Sequence, residues 1–288
     1  MSIGGRLLTI LITAILFIIF IIAAVVDIKT LEVPDWLNYA GIIIGIGLNA
    51  VYSVQMASWQ PITGSLLGLV CGLALGALMY YTGQWGGGDA KLLMATGALI
   101  GIQFKPDNFA ISFALNLLIL GAAWGIIYTL ILGTRYFSKT IRIAKTLRHT
   151  KAVATAKAIC LLCATLLLVM AFIVKPLMIP LIALAITTYI LIYLIIAVKS
   201  VELSSMYKWI TPDKLVEGDW LVHEISIDGI HIGPRKTGLT KKQIQQIQKM
   251  PIQKLMVKYG VPFTPAFLLA FIATLIWGNI IFAIAISL

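Results

Sequence analysis

Apolar residues in this chain run in long, nearly unbroken stretches instead of alternating with polar ones. Eight stretches stand out, at about 7–26, 36–54, 62–82, 90–104, 109–133, 158–174, 177–198 and 262–286. A bilayer core about 30 Å thick needs roughly 20 apolar residues per helix. The pattern therefore predicts an all-α polytopic membrane protein of about eight transmembrane helices. The stretch at 90–104 and the arms of the hairpin around Lys175-Pro176 are short for a span. The first stretch exceeds the apolar core of about 7–15 residues in a cleaved signal peptide, so it reads as a retained helix.

Between 199 and 260 the pattern changes. Trp220-Leu-Val-His-Glu-Ile-Ser-Ile227 alternates apolar and polar residues, Asp228-Gly229 follows, and Ile230-His-Ile232 resumes the alternation. Asp-Gly between alternating runs predicts a β-hairpin. Thr240-Lys-Lys-Gln243 predicts a capping box opening a helix through about Lys249, with Pro251 just beyond its end. The result is a small cytosolic α+β insertion before the last helix. At about 60 residues its own core is marginal, so it is expected to lean on the membrane helices. The linear organisation is then a membrane core at 1–133, a basic loop at 134–157, a transmembrane hairpin at 158–198, the insertion at 199–260 and the last helix at 261–288.

Composition agrees: 60% of residues are hydrophobic and 11% are charged, against roughly 25% charged in soluble domains. Of the 22 Lys and Arg residues, seven lie in 135–157 and ten in 199–258. Positive loops stay cytoplasmic. With eight spans, Lys29 and Lys91 fall on that same side, leaving Arg6, Lys105 and Lys175 opposite with Asp107. Both chain ends are then expected outside and both large loops inside. Topology accounts for the net charge of +11 without nucleic acid. In the loop, Arg135, Lys139, Arg142, Lys145, Arg148, Lys151 and Lys157 recur mostly at three- or four-residue steps. That fits a helix on the inner leaflet, drawn to anionic lipid by about 1 kcal/mol per basic residue. It equally fits a solvated topology determinant.

Gly64, Gly68, Gly72 and Gly76 form a stripe along the third span, and Gly41/Gly45, Gly97/Gly101 and Gly121/Gly125 repeat the spacing. Small residues let helix backbones approach closely in lipid. Cys160 and Cys163 form a lone C-x-x-C inside an apolar stretch; with Cys71, they read as small packing residues. His149, His223 and His231 have no metal-ligand spacing and read as surface residues.

The chemistry concentrates in acids at the inner boundary: Asp27, Glu32, Asp35 and Asp89. Pro34-Asp35 suits the start of the second helix. Asp89 opens an apolar stretch only about 22 Å long as a helix, so its start is expected below the inner surface. Gly86-Gly87-Gly88 before it suits a turn in a cavity, or an ordinary loop with Asp89 as a helix cap. Two neighbouring carboxyls share a proton. The ionised one takes a proton from water while the protonated one polarises a scissile carbonyl. That chemistry needs no metal, nucleophilic serine or cofactor. Lys29 and Lys91 follow the acids by two residues. Each either favours the ionised form or anchors the interface.

Gly86-Gly87-Gly88-Asp89 resembles the G-x-G-D signature of intramembrane aspartyl proteases. Asp27 with Lys29 and Val33-Pro34-Asp35 resembles the first aspartate region of type IV prepilin peptidases, most of all the archaeal preflagellin and prepilin peptidases. Glu217-Gly218-Asp219 in the insertion is also similar. The likeness is strong over about 20–100 and weaker from 199 onward. It implies that Asp27 and Asp89 are the catalytic dyad of an endopeptidase. The implied substrate is a pilin-like or archaellin precursor, whose short basic leader is cut at the cytosolic membrane face. Many bacterial members also carry two C-x-x-C pairs that bind zinc, and they methylate the new N-terminus. This chain lacks those pairs, which implies cleavage without N-methylation. Presenilin-like proteases pair G-x-G-D with a Tyr-Asp and a Pro-Ala-Leu segment. Here Val26 precedes Asp27, and Pro262-Phe-Thr-Pro265 supplies no Pro-Ala-Leu. The alternative is an ion- or proton-coupled transporter, which predicts midplane acids and an internal repeat. A non-enzymatic assembly partner of a secretion machine is a third reading.

Overall fold

A computed structural model describes residues 3–102, 108–227, 230–235 and 237–287. Lys105, Asp107 and the Asp228-Gly229 turn lie outside the described residues. The helices are α1 (Ile3–Thr30), α2 (Asp35–Gln55), α3 (Gln60–Tyr81), α4 (Gly87–Ile100), α5 (Phe109–Arg135), α6 (Phe137–Arg148), α7 (Lys151–Ile173), α8 (Met178–Ser205), α9 (Lys241–Gln248), α10 (Thr264–Trp277) and α11 (Ile280–Ser287). The strands are β1 (Tyr207–Ile210), β2 (Trp220–Leu221), β3 (Ile225–Ile227), β4 (Ile230–Ile232) and β5 (Leu255–Lys258). Among the described residues six helices, α1, α2, α3, α5, α7 and α8, are long and apolar enough to cross a membrane. This is a multi-pass helical membrane protein with a small sheet-bearing insertion.

The chain divides into two compact units, Met1–Ile126 with Trp209–Leu288, and Ile127–Lys208. The first therefore groups the insertion and the last helices with the first helices.

Within the first unit the glycine stripe is the seat of α4. A Cβ on Gly72 would stand 2.7 Å from the Leu93 carbonyl oxygen, and one on Gly76 would stand 2.9 Å from that of Ala90. At Gly68 it would strike the Gly97 carbonyl. From the other side, a Cβ on Gly45 would come within 2.7 Å of the Ala98 backbone. Only glycine permits such approach, and van der Waals packing is what joins helices in lipid.

The expected stretch at 90–104 ends as a helix at Ile100. A helix end buried among apolar segments must have its carbonyls satisfied by protein. Ser65 Oγ donates to the Ala98 carbonyl at 2.6 Å, and Asn49 Nδ2 reaches the carbonyls of Ala98 and Leu99 at 3.4 Å each. Ile102 N–H donates to Gly64 at 2.9 Å. The expected single helix at 262–286 is likewise broken, at Gly278 (φ +65°), into α10 and α11. Buried Asn116 of α5 repairs that break. Its Nδ2 donates to the Gly278 carbonyl at 2.7 Å, and its Oδ1 accepts the Ile280 N–H at 3.1 Å.

The core of this unit is aromatic. Phe20 of α1 stacks on Phe113 at 5.9 Å and meets Phe271 of α10 edge-on at 5.3 Å. The insertion has its own small core, which includes Leu221, Leu239, Ile247, Leu255 and Val257. The Thr240–Gln243 capping box opens α9 as expected, with Thr240 N–H donating to Gln243 Oε1 at 3.0 Å. The alternating run at 220–232 departs from one hairpin. β3 pairs with β4, but β2 pairs antiparallel with β5, placing Trp220 opposite Lys258. Val222 N–H still donates to the Met256 carbonyl of β5 at 3.1 Å, and His223 and Glu224 then lie outside any strand. The insertion leans on a membrane helix where Tyr80 Oη donates to the Thr237 carbonyl at 3.3 Å.

In the second unit, much of the expected basic loop is helical, as α6 and the start of α7. Thr140 of α6 and Ser204 of α8 share a hydrogen bond of 2.8 Å. The only buried residues of α7 are Ala164 and Ala171. Cys163 is exposed and Cys160 half-buried; Cys71, in the first unit, is exposed as well.

Candidate active site

Three chain segments meet around the two predicted acids: the end of α1, the start of α4 and the start of α10. Asp27 lies one turn before the end of α1 and is 4% exposed. Its Oδ2 accepts two hydrogen bonds from Thr264, from the backbone N–H at 2.9 Å and from the hydroxyl at 3.0 Å. Thr264 is the first residue of α10 and is fully buried. The first N–H groups of a helix lack intrahelical partners, and the helix dipole favours an anion there. Pro265 next to it has no N–H to offer. Asp27 thus serves as the acceptor at the head of α10.

The segment before Thr264 is pinned. Trp124 Nε1 donates to the Pro262 carbonyl at 2.7 Å. The Phe263 ring lies 5.1 Å from that of Trp85, which also lies 5.8 Å from Phe267. Gly121 of α5 makes room, since a Cβ there would stand 2.7 Å from the Phe263 ring.

Asp89 is the third residue of α4 and is half-buried. Its Oδ2 accepts the Gly86 N–H at 3.1 Å, so it does cap its helix. It also lies within electrostatic reach of Asp27. The capping and pairing readings are therefore compatible. Gly87 and Gly88 are already in the first turn of α4, not in a preceding turn. The left-handed glycine of that connection is Gly83, at φ +76°. Gly88 has another purpose: a Cβ on it would stand 2.9 Å from Val33 Cβ. That contact joins the segment after Asp27 to the segment before Asp89. Leu31, in the left-handed region at φ 59°, closes α1 and turns the chain toward it. Such a conformation costs a non-glycine residue about 1–2 kcal/mol.

The remaining candidates take other places. Lys91 does not turn to Asp89. Its Nζ pairs with Asp35 Oδ1 at 2.6 Å and lies 5.6 Å from the centre of the Tyr39 ring. Lys29 is exposed. Neither lysine forms an ion pair with Asp27 or Asp89. Pro34 is the N-cap of α2 and Asp35 its first residue, as expected. Gly86 is the N-cap of α4. In the insertion, Asp219 Oδ2 accepts the Val216 N–H at 3.0 Å and Gly218 takes φ +96°, so this segment is a turn. Burial holds the Asp219 carboxyl above the usual carboxylate range. Burial, then the charges of Asp219 and Asp35, do the same for Glu32.

Two residues were not singled out by sequence reasoning. Thr264 lies in the segment set aside for lacking Pro-Ala-Leu. Its signal was a threonine between two prolines at the head of an apolar helix. Asn38 of α2 is fully buried, and its Nδ2 points to the Gly88 carbonyl at 3.4 Å, while its Oδ1 has no partner. Among the described residues no group of three His, Cys, Asp or Glu side chains is placed to hold a metal.

Residues 14–133, which contain both acids and the Gly88–Val33 contact, match the type IV leader peptidase family. The chain is also similar to three curated archaeal proteins named preflagellin peptidase. It is 35% identical over 80 residues to that of Methanococcus voltae, which is 28% of this chain. It is 32% identical over 100 residues to that of Methanocaldococcus jannaschii, or 35% of this chain. It is 33% identical over 98 residues to that of Methanococcus maripaludis, or 34% of this chain. The chain spans 34, 42 and 42% of the lengths of these relatives, respectively. No solved structure matches the chain.

Proposed function

We propose that this protein is a membrane aspartyl endopeptidase that removes the short basic leader from pilin-like or archaellin precursors. The observation that carries the reading is the Gly88–Val33 contact, which brings the end of α1 with Asp27 beside the start of α4 with Asp89, inside a segment that matches a leader peptidase family. The names of the curated relatives support the substrate class. In the reaction, one carboxylate accepts a proton from water. The resulting hydroxide attacks the scissile carbonyl, whose oxygen takes the proton of the other carboxyl. Collapse of the tetrahedral adduct expels the amine, which leaves with a proton from the dyad. Cleavage occurs at the cytosolic end of the substrate helix, with both large basic loops on that side and both chain ends outside. The new N-terminus is not methylated.

The test mixes membranes carrying the protein with a tagged precursor and follows the shorter product. Wild type is expected to cut, and Asp27→Asn and Asp89→Asn are each expected to lose roughly 10²- to 10⁴-fold in rate. Full activity in either variant ends the dyad reading. Mass spectrometry of the new N-terminus, with a methyl donor supplied, tests the absence of methylation.

A further inference from the structure

We propose that Thr264 is a positioning residue for the dyad, acting through its hydroxyl on Asp27. The proposal rests on the endopeptidase reading above. A buried carboxylate requires donors. Thr264 gives Asp27 two donors, and both fall on one oxygen, Oδ2; the Phe263 backbone N–H also faces this carboxyl. Two donors anchored on one buried residue fix where that oxygen sits and limit rotation of the carboxyl plane. The direction of the second oxygen, Oδ1, follows.

The hydroxyl is free for this task because of its position. Inside helices of this unit, Thr96 donates to the carbonyl of Leu92 and Thr274 to that of Ala270, each one turn back in its own helix. Thr264 stands first in α10, where the chain one turn back is not helical, and its hydroxyl turns to Asp27 instead. Its backbone is also unusually constrained. Trp124 holds the Pro262 carbonyl, Trp85 and Phe267 flank the Phe263 ring, and Pro265 fixes the next residue. A donor on so rigid a mount is pre-organised, and pre-organisation is how a site keeps a reacting group oriented. The contact is separable by chemistry. Valine keeps the shape and the backbone N–H but loses the O–H, whereas serine keeps the O–H.

The experiment uses the full-length protein in liposomes with a tagged precursor, measuring kcat and KM for wild type, Thr264→Val, Thr264→Ser and Asp27→Asn. A hydrogen bond to a charged group supports a loss in kcat of roughly ten- to hundredfold for Thr264→Val. KM is expected within about threefold of wild type, since the hydroxyl faces Asp27 and not the substrate. Thr264→Ser is expected to restore kcat to within about threefold. Thermal melting of the purified variants accompanies the kinetics, with Thr264→Ala as the second deletion of the hydroxyl. Full activity in Thr264→Val overturns the positioning role and leaves the dyad standing, provided Asp27→Asn is inactive. An active Asp27→Asn overturns the dyad and this proposal together. If Thr264→Val and Thr264→Ala both lose the wild-type melting transition, the role is structural and the proposal falls.

Discussion

The two compact units are built for lipid in opposite ways. In the first, α4 is shorter than a span and carries an acid at its head, so every surface of it is matched. Glycines at 68, 72 and 76 of α3 and at 45 of α2 receive its backbone, and Asn49 and Ser65 collect its last carbonyls. In the second, α7 buries only two alanines, and most of its large side chains face outward. Lipid is as apolar as leucine, so a helix needs no burial to be stable there. It needs intimate packing only where polar groups or broken backbone must be covered. The density of glycine and buried amides therefore marks the unit that holds the two acids.

That contrast is open to direct attack. The largest effect is expected from Gly72→Val, whose side chain has no room against the Leu93 carbonyl. It should destabilise the first unit by about 1–3 kcal/mol or more, read as a lower midpoint of unfolding in mixed micelles. An exposed change in the second unit, Leu162→Val, should stay within about 0.5 kcal/mol of wild type. Equal losses at the two sites would erase the distinction. Next is Gly88→Ala, which pushes the start of α4 off Val33. Misplacement near 1 Å costs on the order of 10²-fold in rate, so precursor cleavage should fall steeply while most of the fold survives. Smallest is Lys91→Met. Its pair with Asp35 is half exposed and worth under about 1 kcal/mol, so both melting and cleavage should change little. A large loss of cleavage would restore Lys91 to the site.

Particular residues show what the chain disclosed before it was folded. Asp27 and Asp89 were legible because an acid at the edge of a long apolar run is expensive and rare. The glycine stripe was legible as a packing face, though not which helix it receives. The break at Gly278 was hidden in an unbroken run of hydropathy, because the group that permits it, Asn116, lies on another helix 162 residues away in sequence. Lys91 was ambiguous for a simpler reason: a flexible four-carbon stem reaches Asp35 or Asp89 equally well on paper, and spacing does not choose. The run at 220–232 showed its alternation but not its partners, since β5 comes from the far end of the insertion. Thr264 was illegible because a hydroxyl's role depends on what stands opposite, and Asp27 is 237 positions earlier.

That last separation has a bearing on biogenesis. The acceptor at residue 27 enters the membrane early, while its donors at Thr264 are made 237 residues later. Until then the first carboxyl has no mate from the late segment. On the endopeptidase reading, a half-made chain would lack the donors that hold Asp27, and its site would be complete only with the insertion of α10.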